Sequence, residues 1–121
     1  MTPPERPFPA GSIVVVDWRD AVPVEANKRR PAVVVEDDGL FGPGYPALLL
    51  VPITEDAGLA IPDLCVRLEP GPENGCTKPS FCLSPFVTAT AKARVRATPS
   101  RITPDELALI RRQIAAAVGV E

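Results

Sequence analysis

The densest run of cations in the chain is Lys28-Arg29-Arg30, with Glu25 five residues ahead of Arg30 and Pro31 directly after it. A guanidinium carries a fixed charge and a planar fork of donors, which suits it to a phosphate group and to the negative charge that builds on phosphorus during transfer. Glu25 could accept a proton or could hold Arg30 in place through an ion pair; on a mobile loop the second role is favoured. From spacing alone the run is as readily a solvated loop as a binding patch. Thr54, which ends the apolar run ALLLVPIT, offers a hydroxyl that orients a ligand without titrating, although most threonines at strand ends are structural.

The chain contains no histidine, so a paired-histidine acid-base scheme is excluded. Cys65, Cys76 and Cys82 are odd in number and lack metal-ligand spacing, which reads as a reduced, cytoplasmic setting with no metal or cofactor expected, and Cys76 and Cys82 read as small buried side chains. The acidic run Glu36-Asp37-Asp38 is expected to end a strand in water. Thirteen basic residues against fifteen acidic ones leave a net charge of −2, so there is no global field to gather nucleic acid and any such binding must use a local patch.

These groups need a scaffold, and 121 residues supply one domain. Residues 1–10 hold four prolines and read as a flexible N-terminal tail; residues 11–121 read as the domain, with a second copy the natural way to extend its surface. No apolar run is long enough to cross a bilayer as a helix, and the N-terminus lacks the apolar core of a signal peptide. The β-branched runs at 12–18 (SIVVVDW), 31–36 (PAVVVE) and 47–54 predict three strands, with Pro52 implying an edge or a bulge in the third. Residues 64–68 alternate as a half-exposed strand, and 80–83 and 87–91 are weaker strands. Lys92, Arg94 and Arg96 alternate with small apolar residues and would share one exposed face. Near the end the period changes. Thr103 and Glu106 form a capping box, Pro104 takes the first helical position, Leu107, Ile110, Ile114 and Val118 make one apolar stripe, and Gly119 stops the helix. The fold class is mainly β with a C-terminal helix.

The N-terminal third resembles the MazF/PemK toxins of type II toxin-antitoxin systems in three linked pieces: 11–17 (GSIVVVD), Glu25 ahead of Arg30-Pro31, and 32–38 (AVVVEDD). Pro52-Ile53-Thr54 is similar to the family's third-strand ending, and 75–95 follows its later strands without a gap, keeping Gly75, Ser80, Lys92 and Arg94. The resemblance spans roughly 11–118. It implies an SH3-like small β-barrel, related to the CcdB-type toxin fold, that dimerises and cuts single-stranded RNA at short sequences without a metal, through attack of a 2′-hydroxyl on the adjacent phosphate. Carried over, Arg30 and Thr54 would be catalytic, and Glu25, Lys28, Arg29 and Ser80 would lie along the RNA. An acidic, partly disordered antitoxin would occupy the same groove.

One stretch departs from the family. Where members commonly carry an acidic-Gln-x-Arg segment, this chain has Pro85-Phe86-Val87-Thr88. Phe86 could replace the lost groups by stacking on a base, which stabilises by about 1 to 3 kcal/mol. The departure keeps open a catalytically degenerate binding module acting on a protein target or an antitoxin. An unrelated SH3-like interaction domain is disfavoured, because four Phe, one Tyr and one Trp furnish little aromatic groove.

Overall fold

The computed structural model describes residues 7–17 and 29–120. Among them the three long β-branched runs become β1 (Ser12–Asp17), β2 (Arg29–Val34) and β3 (Ala47–Thr54). The runs at 64–68, 80–83 and 87–91 become β4 (Cys65–Leu68), β5 (Ser80–Leu83) and β6 (Thr88–Ala91); β7 (Val95–Arg101) forms where the patterning sets no strand beyond Arg96, and α1 (Pro104–Ala117) follows. The sheet is antiparallel, in the order β4-β5-β3-β2-β1-β7, and β6 pairs with β3. The chain is therefore mainly β with a C-terminal helix, as its patterning predicts.

One short connection shows how the sheet is shaped. From β6 through β3, β2 and β1 to β7 a flat sheet would span roughly 19 Å. Yet the residues joining β6 to β7 form one 3-10 turn, Lys92–Arg94, which advances only about 2 Å per residue. The sheet must roll. Val95 of β7 accordingly packs in one buried cluster with Val14, Val16, Ala32, Val34, Leu48 and Leu50, enclosed by the curl, and Phe8 packs against it. The result is barrel-like, although no ladder joins β6 to β7 among the described residues. The opposite face carries a second cluster, including Ile13, Val33, Val51, Ile53, Val66 and Leu68, covered by the β4-β5 hairpin and α1. Burial on both faces explains why β1 and β2 read as continuous apolar runs and not as alternating ones.

Pro52 sits in neither of the expected places. β3 is central, and along one side it pairs with β6 through Leu50 and with β5 from Ile53 onward. Pro52 falls in the gap between those two ladders, where a missing N–H costs no hydrogen bond on that side. Two charged stretches also depart from expectation. Lys92–Arg94 is a turn and not a strand face, with Lys92 Nζ donating to the Pro43 carbonyl at 3.0 Å. Glu36 is only 4% exposed, because its carboxylate accepts the Leu49 N–H at 3.1 Å instead of facing water. Of residues 1–10, the described ones are 7–10, and the Ala10 N–H donates to the Asp38 carboxylate at 3.1 Å.

The helix forms for the local reasons its sequence announces. Thr103 Oγ1 accepts the Glu106 N–H at 3.1 Å, Glu106 Oε1 accepts the Thr103 N–H at 2.8 Å, and Pro104 occupies the first turn. At the other end Gly119 takes φ +85°, and the N–H groups of Gly119 and Val120 return to the carbonyls of Ala116 and Ala115. Thr103→Ala is expected to lower folding stability by about 1 kcal/mol, read from chemical denaturation, since it orphans one donor of the first turn. Of the stripe, Ile110 is buried and Leu107 and Ile114 are half-buried against the second cluster, while Val118 lies beyond the last turn and is 69% exposed. Polar bonds fix the flanks. Gln113 Nε2 donates to the Cys65 carbonyl at 3.0 Å and its Oε1 accepts from Ser84 Oγ at 2.7 Å. Arg111 donates to the carbonyls of Val35 and Glu36 at 3.1 and 2.8 Å.

Candidate functional site

Ala32 pairs with Pro52 across β2 and β3, and carrying that register two residues further sets Arg30 opposite Thr54. Residues 24 positions apart in the chain thus meet where one strand begins and the next ends. Both line a cleft of about 400 Å³, together with Pro31, Glu55, Asn74, Gly75, Cys76, Thr77, Ser80, Thr98 and Ser100. Ile13 and Ile53 supply its apolar floor.

Arg30 is half-buried at the start of β2. Thr54 Oγ1 accepts the Asp56 N–H at 3.1 Å, which fixes its rotamer and leaves its proton to be donated to a ligand. Ser80 is buried, and its hydroxyl donates to the Lys78 carbonyl at 3.1 Å, so it can only accept from a ligand. The opposite wall is built from turns. Asn74 Oδ1 accepts the N–H groups of Gly71 and Cys76 at 3.2 and 2.9 Å, and its Nδ2 donates to the Glu69 carbonyl at 2.8 Å. Gly75 follows at φ +68°, and a Cβ there would stand 2.6 Å from Ser100 Oγ. The backbone angle favours glycine there, and a Cβ would also turn the Ser100 hydroxyl aside. Thr98 Oγ1 donates to the Ile13 carbonyl and accepts the Ser100 N–H, tying that wall to β1.

Three sequence-derived site residues, Arg30, Thr54 and Ser80, come together in this cleft. Glu25 and Lys28 lie outside the described residues, and Arg29 is placed as the first residue of β2. Phe86 is 55% exposed on the 3-10 turn Ser84–Phe86 and does not line the cleft. Glu55, Asn74, Thr77, Thr98 and Ser100 also line the cleft and belong to none of the sequence motifs; adjacency to Thr54 is the one sequence signal that points to Glu55. Cys82 is buried in the second cluster, and that burial pushes its thiol well above the ordinary range, which keeps it protonated and unreactive. Cys65 and Cys76 are half-buried and free. Among the described residues no group of three or more His, Cys, Asp or Glu is placed to hold a metal ion, and no helix is long and apolar enough to cross a membrane.

A second cavity, about 640 Å³, lies between residues 7–12 and β7. Pro7, Pro9, Pro99, Pro104 and Leu107 line it together with Arg101, and Arg30 and Thr54 do not.

Residues 10–118 match the family described as the PemK-like, MazF-like toxin of type II toxin-antitoxin systems. Among solved structures the chain is similar to a Mycobacterium tuberculosis MazF toxin, with TM-score 0.71 and 14% identity over 91% of this chain and 98% of that one. It is similar to an endoribonuclease of a mycobacterial species in complex with its cognate antitoxin, with TM-score 0.71 and 15% identity over 93% and 95% of the two chains. MazF from Deinococcus radiodurans gives TM-score 0.70 and 22% identity over 97% of this chain and all of the other. No curated protein sequence matches it significantly.

Proposed function

The chain belongs to the PemK-like, MazF-like toxins of type II toxin-antitoxin systems, and on that premise we propose that it is a sequence-specific, metal-independent endoribonuclease of single-stranded RNA. The observation that supports this most is the convergence of Arg30 and Thr54 on one cleft of nucleotide-sized volume. In the proposed reaction a 2′ oxygen attacks the adjacent phosphorus and the bond from phosphorus to the 5′ oxygen breaks. A 2′,3′-cyclic phosphate and a 5′-hydroxyl result; the 2′ proton leaves to water and the 5′ oxygen takes one up. Arg30 stabilises the dianionic five-coordinate phosphorus, and Thr54 donates a neutral hydrogen bond that holds the phosphate in line. Glu25 is assigned to Arg30 as its ion-pair partner, Lys28 and Arg29 to the RNA backbone, Ser80 to a ligand donor, and Phe86 to stacking beyond the cleft.

A second copy would lengthen the groove, and an acidic antitoxin would compete with RNA for Arg30; a related chain has been solved with its cognate antitoxin. The test is to incubate the protein with a long single-stranded RNA in excess chelator and to map the ends. Cuts at a fixed short sequence, ending in cyclic phosphates, are expected. Intact RNA at high protein concentration would remove the nuclease and favour a binding module, the reading that the Pro85-Phe86-Val87-Thr88 departure supports.

A further inference from the structure

Among the described residues that line the cleft, Glu55 supplies the one carboxylate. The carboxylates of Glu36, Asp37, Asp56, Glu69 and Glu106 are engaged with N–H donors of the chain itself. That of Glu55 is exposed and engaged with nothing among the described residues. Its backbone is nevertheless fixed on both sides. Asp56 N–H is bound to Thr54 Oγ1, and Asp56 Oδ1 accepts the Gly58 N–H at 2.9 Å, capping the 3-10 turn Ala57–Leu59. A carboxylate on a loop anchored at both flanks, one residue from the hydroxyl assigned to the phosphate, is presented in a defined place.

Against a polyanion such a group is repelled by the backbone, so what it can do favourably is accept N–H groups from a base. The Watson–Crick edge of guanine offers two donors side by side, N1–H and the 2-amino group, which match the two carboxylate oxygens as a fork. Cytosine and adenine offer one amino group beside a ring-nitrogen acceptor, and uracil offers one N–H between two carbonyls. Each of these sets a lone pair against the second oxygen. We infer that Glu55 selects a guanine in the nucleotide next to the phosphate held by Arg30 and Thr54, an inference that rests on the nuclease reading of the cleft.

The test separates selection from cutting. Short 2′-O-methyl oligonucleotides, which lack an attacking hydroxyl, carry one guanine, one inosine or one adenine in a uridine background, and binding is read by fluorescence anisotropy. The parent is expected to bind the guanine oligomer about 10- to 100-fold more tightly than the adenine one, with inosine, which lacks the 2-amino group, between them. In Glu55→Gln the three affinities are expected to converge. A parent that binds all three alike, or a Glu55→Gln protein that keeps the guanine preference, overturns the inference whether or not RNA is cut. A guanine preference lost in Glu55→Gln, alongside an all-ribose oligomer left intact, instead defeats the nuclease reading and leaves Glu55 the base reader of a non-cutting cleft. Absence of binding overturns both.

Discussion

Arg30→Ala is expected to lower the rate of RNA cleavage by about 10²- to 10³-fold or more, with the fold retained. The magnitude follows from removing a preorganised charged donor from the point where charge develops in the transition state. Its neighbour Thr54 contributes a neutral hydrogen bond and cannot take over the charge. The loss is therefore expected in kcat at least as strongly as in KM, because the fifth bond to phosphorus, and the charge that comes with it, exist only in the transition state. Arg30→Lys sharpens the result. A lysine keeps the charge but gives up the planar fork, so partial activity is expected, above the alanine variant and well below the parent. Single-turnover cleavage of a mapped site, with circular dichroism to confirm folding, makes the measurement. An alanine variant that cuts like the parent would remove Arg30 from the mechanism.

The largest stability effect is expected at the helix. Ile110 is 0% exposed and is the α1 side chain set deepest in the cluster that contains Val33, Val51, Val66 and Leu68. Ile110→Ala is expected to cost about 2 to 5 kcal/mol, the sum of lost transfer energy and an unfilled cavity. Against a typical total of about 5 to 15 kcal/mol for a domain, that is a large fraction, so a fall in Tm on the order of 10 °C should accompany it. The cavity should not collapse easily. Gln113 and Arg111 bind backbone carbonyls from the next turn of the same helix and hold it at its present height over the sheet. Urea denaturation of parent and variant reads the cost, and a loss below about 1 kcal/mol would show that the helix settles into the gap. Val118→Ala, outside the cluster and exposed, serves as the silent control.

How much of this could be read from the sequence depends on whether a signal was local. The capping box of Thr103 and Glu106 and the stop at Gly119 involve residues within one turn of each other, so pattern and structure agree. The β-branched runs announced β1, β2 and β3 for the same reason, but not that β3 would serve two neighbours on one side; Pro52 was informative about a missing hydrogen bond and silent about where the gap would fall. Lys92 and Arg94 alternate as in a strand, yet the tight return from β6 to β7 bends them into a turn. Arg30 and Thr54 were reached through family resemblance, since strand register, which no spacing reveals, is what joins them. Glu55, Asn74, Thr98 and Ser100 stayed hidden because polar residues in turns and on an edge strand look alike whether or not a cleft runs between them.

The handover in β3 has a consequence for how the molecule breathes. The stretch of β3 that carries Ile53 and Thr54 meets β5 through only two residue pairs, whereas the stretch before Pro52 is braced by β2 on one side and β6 on the other. Local opening follows the weakest seam. Opening there is resisted from the other side: Val66, Leu68 and Cys82 are set in the second cluster and Gln113 holds the Cys65 carbonyl, so the core and α1, more than the two ladder pairs, keep Ser80 and its lip of the cleft in place.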